Sequence, residues 1–200
     1  VKDSCGGVAN AMQVIGAASM VSTAGRGLID PADPLTFGAC LARPSSAEVA
    51  VKADLIVVVG CELAEVDLWR VDLGHRAEII RVDLDPSVGA VDPKTSMFVQ
   101  SDGASFILDL AKQFDEPLRT EWKVDVIAAW RVRWRAEVIA ERPNIAPVIE
   151  ALQNAVPYDT MIYSDMTQLA YAAVELWDME LPKKWHHPSG FGTLGYATPA

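Results

Sequence analysis

The clearest pattern of hydrophobic positions is a run of aliphatic residues in the first half of the chain. Residues 53–60 are Ala-Asp-Leu-Ile-Val-Val-Val-Gly, in which five consecutive side chains are aliphatic and none alternates with a polar one. A strand in the middle of a parallel sheet has this pattern, because helices cover both of its faces. The run therefore predicts a central parallel strand that is buried on both faces and ends at Gly60.

Strands and helices alternate on both sides of this run. The predicted order is a helix at 7–17, a short strand at 19–24, a loop at 28–37, a helix from Ser45 or Ser46 to about 52, the strand at 53–60, strands at 78–86 and 97–101, and a helix from 103 or 104 to 114. Strands that alternate with helices or crossover loops form parallel sheets. We therefore expect an α/β fold with a doubly wound, Rossmann-like parallel sheet.

A second α/β unit is predicted after a linker at 115–120. Apolar side chains recur at intervals of three and four over residues 121–141, as in an amphipathic helix. These side chains are Trp122, Val126, Ile127, Trp130, Trp134 and Val138. A helix at 145–155, a strand at 161–165 and a helix from 166 or 167 to 177 are expected to follow.

Charge and composition argue against several classes of function. The net charge is −10 and the pI is about 4.7, whereas a protein that binds nucleic acid or an anionic membrane needs a basic face. No apolar run reaches the roughly 18 residues that a membrane span requires. The three cysteines, Cys5, Cys40 and Cys61, lack metal-ligand spacing, which favours reduced thiols in the cytoplasm. Because the chain opens on Val1 and stops abruptly at Ala200, we expect a piece of a longer protein.

Polar residues follow the predicted strands of the first unit. Ligands of doubly wound sheets bind at the carboxyl ends of the strands, so Gly60, Glu62, Asp83 and Asp85 are candidates for a nucleotide rim. Asp83 and Asp85 could accept hydrogen bonds from a ribose, or Asp85-Pro86 could simply begin a turn. The first turn has no GxGxxG fingerprint, so a standard dinucleotide site is not predicted.

A glycine-rich segment ends the chain, with the sequence "PSGFGTLGYATPA" at residues 188–200. Glycine tolerates positive φ and lets another group approach the main chain closely. A single loop of this kind is weak evidence for a site, since most are ordinary turns. Its position after the strand and helix of the second unit makes it the candidate for contact with a ligand.

Several segments together resemble the thiamine-diphosphate-dependent 2-oxo acid decarboxylase and acetolactate synthase family. They are "GAASMVSTAGRGLIDPADPLTFGA", "ADLIVVVGCELAEVDLW", "EIIRVDLDP", "YSDMTQLAYAA" and the terminal glycine loop. The resemblance is greatest to the acetolactate-synthase-like branch that includes decarboxylases of 5-guanidino-2-oxopentanoate (2-ketoarginine). It implies that residues 1–118 are the central domain of the family. Residues 119–200 would be a linker helix and the incomplete beginning of the diphosphate-binding domain.

The resemblance assigns cofactor contacts to two short segments. Thr167, Gln168 and Leu169 match the family's "GQH" turn, although glycine is common at the first position and Leu169 replaces the histidine. In the second segment, Gly192 matches the residue whose carbonyl holds the aminopyrimidine amine of thiamine diphosphate, and Thr193 follows it. Leu194 matches the bulky apolar wedge under the bent cofactor, with simple core packing as the alternative.

The resemblance also implies what these 200 residues do not supply. The family's catalytic glutamate belongs to an amino-terminal domain, and its magnesium motif, GDG with a later asparagine, has no match here. We therefore assign no catalytic and no metal-binding residue, and we expect the isolated chain to be inactive. The complete protein is expected to use thiamine diphosphate and Mg²⁺, to bind FAD or ADP on the central domain in some members, and to form a homodimer or homotetramer.

Other functions and residues remain open at this stage. The chain could instead be a non-catalytic nucleotide-binding or regulatory module, or a structural domain that mediates subunit contacts. His186 and His187 could be acid–base groups or part of a polar loop, while Ser164 and Asp165 are not expected to form a triad with any histidine that the sequence places nearby. Residues 2–4 are too polar for the buried first strand of the family, so that strand is expected to be missing or altered.

Overall fold

A computed structural model describes residues 2–91 and 95–200, apart from the side chains of residues 2–5, 90 and 91. The chain forms two compact units. One contains Val1–Ala17 and Leu41–Arg119, and the other contains Ala18–Cys40 and Thr120–Ala200. The predicted family domains, 1–118 and 119–200, are defined by resemblance rather than by contacts, and they stay a prediction. None of the helices in the described ranges is long and apolar enough to cross a membrane.

The first unit is built on a parallel sheet of three strands. These are β1 (Leu55–Val59), β2 (Glu78–Asp83) and β3 (Thr95–Gln100), in the order β1-β2-β3. The helices of the unit are α1 (Lys2–Ile15), α2 (Ser46–Ala50), α3 (Glu65–Leu68), α4 (Pro86–Val91) and α5 (Gly103–Ala111). The predicted α/β class is therefore confirmed, and residues 2–4 lie in α1.

The middle strand is β2, and the prediction that residues 53–60 form the central strand is wrong for the described sheet. Ile79 and Val82 of β2 are 0% and 1% exposed, whereas Leu55 and Val57 of β1 are 46% and 37% exposed. An aliphatic run specifies a strand, but its place in a sheet depends on which strands pair with it. Among the residues that the structure describes, β1 pairs with β2 alone.

The second unit combines three helices with two short parallel strands. The elements are α6 (Val124–Glu141), α7 (Ala146–Ala155), β4 (Ile162–Tyr163), α8 (Gln168–Leu176) and β5 (Trp185–His186). The predicted long helix is confirmed as α6, which buries Ile127, Trp134 and Val138. Val138 joins Ile149 of α7 and Leu176 of α8 in a shared apolar core. Strand β5 was not predicted, because its two residues lie among lysines and prolines rather than in an apolar run.

Residues 18–40 pack into this second unit without forming the predicted strand at 19–24. Only Ser19 makes a β-bridge, to Thr36, and Ser22 then accepts the N–H of Gly25 in a tight turn. Phe37 is 2% exposed and its ring lies 5.4 Å from that of Trp122 and 5.8 Å from that of Trp134. Long-range aromatic contacts, rather than strand pairing, therefore hold this segment.

Candidate cofactor site

Two loops meet at the carboxyl ends of β4 and β5. The strands are parallel, with Ile162 opposite Trp185 and Tyr163 opposite His186, so both carboxyl ends lie at the same edge. The loop after β4 leads through Asp165 into α8, and the loop after β5 is the glycine-rich terminal segment. Strand pairing therefore brings together the two segments that the sequence singled out, Thr167–Leu169 and Gly192–Leu194.

Asp165 joins the two loops directly. Its carboxylate accepts the backbone N–H of Gly195 at 2.9 Å and that of Ala197 at 2.8 Å. Met166 adds a longer backbone contact of 3.4 Å to the carbonyl of Thr193. The hydrogen bonds from Ala197, Gly195 and Tyr196 hold the pKa of Asp165 below its usual value, because they stabilise the ionised carboxylate. Asp165 thus bonds to the terminal loop rather than to a histidine.

The turn after β4 forms the N-terminus of α8. Thr167 is the N-cap, and its hydroxyl accepts the N–H of Ala170 at 3.3 Å. The side chain of Gln168 accepts a hydrogen bond of 3.0 Å from Nε of Arg142. Helix N-termini present backbone N–H groups and a positive dipole to anions. The turn therefore offers main-chain donors to a diphosphate, while its Thr and Gln side chains are engaged within the protein.

The terminal loop presents apolar side chains to solvent. Gly192 has φ of +63°, and no heavy atom lies within 4 Å of the position that a Cβ there would occupy. Leu194 is 68% exposed, Phe191 is 98% exposed and Leu169 on α8 is 37% exposed. Leu194 therefore takes no part in the core of this chain, and the space beside Gly192 is open to a ligand.

His187 forms a hydrogen-bonded chain with the end of β4. Its Nδ1 lies 3.0 Å from Oγ of Ser164, which also accepts a 2.8 Å hydrogen bond from Nε1 of Trp185. Burial, and secondly the positive charge of Arg26, lowers the pKa of His187. Ser164 and His187 are 23 positions apart along the chain, and the pairing of β4 with β5 brings them together.

The candidate rim of the first unit has a different geometry. Asp83 accepts the N–H of Asp85 at 3.0 Å, and Asp85 accepts the N–H of Ser87 at 2.8 Å. The hydrogen bonds that Asp85 accepts from the side chain and the backbone of Ser87 lower the pKa of Asp85, because they stabilise its ionised carboxylate. Gly60 donates its N–H to the carbonyl of Val82, and the carbonyl of Glu62 faces the guanidinium of Arg81 at 3.5 Å. Both aspartates therefore build the turn that the sequence offered as the alternative to ribose binding.

Among the residues that the structure describes, no group of three or more histidine, cysteine, aspartate or glutamate side chains is placed to hold a metal ion. A magnesium site would need several oxygen ligands in octahedral arrangement. Phosphate and water oxygens supply much of this arrangement where Mg²⁺ binds together with a diphosphate.

Comparison with known proteins gives matches in sequence and in fold. No protein-family model matches the chain. This chain is 35% identical over 184 residues to the probable 2-ketoarginine decarboxylase AruI of Pseudomonas aeruginosa. The aligned region covers 90% of this chain and 32% of that protein. The chain is 27% identical over 163 residues to the acetolactate synthase large subunit of Corynebacterium glutamicum, covering 74% of this chain and 25% of that protein.

A solved structure has the same fold over nearly the whole chain. It is that of a putative thiamin diphosphate-dependent enzyme from Mycobacterium smegmatis, with a TM-score of 0.63, 16% identity and coverage of 98% of this chain and 38% of that one. The chain thus spans about a third of the length of the proteins that it matches. In sequence it is thus similar to a probable 2-ketoarginine decarboxylase and to an acetolactate synthase, and in fold to a thiamin diphosphate-dependent enzyme.

Proposed function

We propose that this chain forms one side of the thiamine diphosphate site of an enzyme that acts on a 2-oxo acid, as a decarboxylase or as a carboligase. The observation that carries the proposal is the pair of hydrogen bonds from Gly195 and Ala197 to Asp165. They hold the terminal glycine loop against the N-terminus of α8. Both segments that the family resemblance assigned to the cofactor therefore lie at one edge.

The residues at this edge fit the cofactor chemically. Leu194 is a bulky apolar side chain outside the core, and the space beside Gly192 is open. We infer that Leu194 supports the bent cofactor, that the carbonyl of Gly192 accepts a hydrogen bond from the aminopyrimidine amine, and that the first turn of α8 faces the diphosphate. Thiamine diphosphate, when bound, supplies the nucleophilic carbon and the electron sink for decarboxylation.

The binding of Mg²⁺, the source of the catalytic glutamate and the binding of a nucleotide are separate parts of the proposal. Mg²⁺ would bind with the diphosphate through ligands other than those of the described residues. We expect the 200-residue chain by itself to show no turnover, because it has no match to the family's magnesium motif. The FAD or ADP site on the first unit stays a prediction, and the engagement of Asp83 and Asp85 in a local turn counts against it.

The similarity to a probable 2-ketoarginine decarboxylase and to an acetolactate synthase supports a 2-oxo acid as the substrate class. These two relatives are named for different reactions, so the choice between decarboxylation and carboligation is left to experiment. We also propose a homodimer or homotetramer in the cytoplasm. Light scattering on the full-length gene product would measure the oligomeric state directly.

The proposal can be tested with Leu194→Ala in the full-length gene product that contains this chain. Leu152→Ala is a matched control, because Leu152 on α7 is also an exposed leucine, at 41%. Release of carbon dioxide from 2-ketoarginine, pyruvate and longer 2-oxo acids is measured with thiamine diphosphate and Mg²⁺. We expect Leu194→Ala to lower kcat by about tenfold or more, equivalent to roughly 1.4 kcal/mol of transition-state stabilisation.

Two results would contradict the proposal. One is that no 2-oxo acid of the panel gives turnover that depends on thiamine diphosphate. The other is equal activity of the Leu194→Ala and Leu152→Ala proteins. The melting temperature of each variant separates a loss of the site from a loss of the fold, since neither leucine is part of the core.

A further inference from the structure

The hydrogen bonds around Ser164 favour one tautomer of His187. An indole N–H can only donate, so Oγ of Ser164 accepts the bond from Trp185 at 2.8 Å. Oγ also lies 3.0 Å from Nδ1 of His187, and we infer that Ser164 is the donor in this contact, because its hydroxyl proton then has an acceptor. A neutral imidazole that accepts at Nδ1 carries its proton at Nε2. Trp185 and Ser164 thus leave His187 with one free donor, the Nε2–H group.

The surroundings of His187 keep the imidazole neutral. Arg26 is 5% exposed, and its guanidinium lies 4.6 Å from the centre of the Trp185 ring. Burial reduces the pKa of Arg26 only to about 10, so it is still cationic at pH 7 and disfavours a second positive charge beside it. The other titratable group packed against His187 is Tyr171 of α8, whose ring meets the imidazole edge-on at 6.2 Å.

His187 lies beside the ends of the two strands from which the proposed cofactor segments extend. It directly follows β5, and its carbonyl accepts the N–H of Ser189 in the turn that leads to Gly192. Ser164, its hydrogen-bond partner, directly follows β4 and precedes Asp165. The imidazole is therefore tied to both strand ends from which the two cofactor segments extend.

We propose that His187 is a catalytic residue that donates a hydrogen bond from Nε2 to the carbonyl oxygen of the 2-oxo acid, with Ser164 and Trp185 as its positioning residues. This inference rests on the proposed function. A neutral, preorganised donor stabilises the negative charge that develops on a carbonyl oxygen under nucleophilic attack. The arrangement needs no proton transfer by His187 and therefore no carboxylate behind it.

The first test measures the tautomer in the full-length gene product by ¹⁵N NMR of the histidine rings, with His187→Gln used to assign the signal. We expect an unprotonated Nδ1, a protonated Nε2 and a pKa below the ordinary value near 6.5. Ser164→Ala is expected to populate the Nδ1–H tautomer, whereas Ser164→Thr keeps the hydroxyl and should retain the Nε2–H form. An imidazolium at pH 7, or an Nδ1–H tautomer in the unaltered protein, would overturn the inference.

The second test compares substitutions that remove or retain the donor. His187→Ala is expected to lower kcat about tenfold or more, with a smaller change in KM, because the bond strengthens as charge develops. His187→Gln, whose amide can donate from a similar position, should recover part of this loss. His186→Ala is the control one residue earlier in β5, where the side chain stacks on Tyr163 instead.

Failure of this inference is distinguishable from failure of the proposed function. Thiamine-diphosphate-dependent turnover that is unaffected by His187→Ala would overturn the role of His187 alone. Absence of such turnover in the unaltered protein would overturn both. If His187→Ala does not fold, the pair Ser164→Ala and Ser164→Thr decides, since an equal kcat and an equal tautomer in both would contradict positioning by the hydroxyl.

Discussion

Aspartates lie at or just after the carboxyl ends of parallel strands in both units, but their carboxylates accept hydrogen bonds from residues at very different distances along the chain. Asp83 and Asp85 accept backbone N–H groups two residues ahead and close a local turn. Asp165 accepts N–H groups 30 and 32 residues ahead and joins two separate loops. The same side chain at the same kind of strand end therefore shapes one turn in the first unit and joins the two loops of the proposed cofactor edge in the second.

This difference identifies the better functional candidate. A carboxylate that closes its own turn needs nothing beyond a few neighbouring residues, so its presence says little about a ligand. A carboxylate that holds a distant glycine loop determines where exposed groups such as Leu194 lie. If long-range ties of this kind maintain the second unit, substitutions that break them should have effects that local turns do not show.

The largest effect is expected from Gly27→Ala. Gly27 has φ of +80°, and a Cβ there would collide with the backbone carbonyl group of Leu181, 154 residues further along by their numbers. We expect a loss of about 2–4 kcal/mol in the free energy of unfolding, from steric overlap added to backbone strain. Urea denaturation measures this loss.

Gly38→Ala is the matched control for this substitution. Gly38 has φ of +79°, but no heavy atom lies within 4 Å of the position that a Cβ there would occupy. It should therefore cost only the strain of a positive φ, on the order of 1 kcal/mol. Equal losses in the two variants would mean that the close approach of Gly27 to Leu181 has no importance for stability.

A smaller and more local effect is expected from Asp165→Ala. The variant removes the acceptor for Gly195 and Ala197, so hydrogen exchange at these two amides should become roughly tenfold faster or more while α6 is unaffected. Asp85→Ala, the control in the first unit, should change exchange only near Ser87. Distant changes in Asp85→Ala, or none at Gly195 in Asp165→Ala, would contradict the comparison.

The smallest effect concerns the pH dependence of the same bonds. The folded-state pKa of Asp165 is lowered, so its contribution is present in full above the unfolded-state pKa and is lost as the pH falls through the lowered value. Protection of the Gly195 and Ala197 amides should therefore persist at neutral pH and disappear in acid. In Asp165→Asn this acid-induced step should be absent, and a step identical to that of the unaltered protein would exclude Asp165 as its cause.

The strands and helices were largely predictable, whereas their arrangement was not. The aliphatic run at 55–59 and the spacing of Trp134 and Val138 indicated β1 and α6 correctly. The same run suggested a central strand, although within the described sheet β1 is an edge strand and leaves Leu55 exposed. Periodicity reports how one element is patterned, but burial of an element depends on what packs against it.

The candidate site divides in the same way. The glycine-rich pattern and the family resemblance singled out Gly192 and Leu194 from the sequence alone. No local pattern predicted the Trp185–Ser164–His187 chain, because β5 has only two residues and carries no strand signal. Its hydrogen bonds depend on the pairing of that strand with β4.

The amino-acid sequence by itself indicated the α/β class, the resemblance to thiamine-diphosphate-dependent enzymes and the two segments proposed to face the cofactor, since these follow from short-range patterns and residue identities. Only the tertiary structure decided which strand is central in the described sheet, that Asp165 bonds to the terminal loop and that His187 lies within hydrogen-bond distance of Ser164. These features join residues that are about 20 to 30 positions apart. A hydrogen bond over such a separation is set by the fold that brings its partners within about 3 Å, and not by the residues that lie between them.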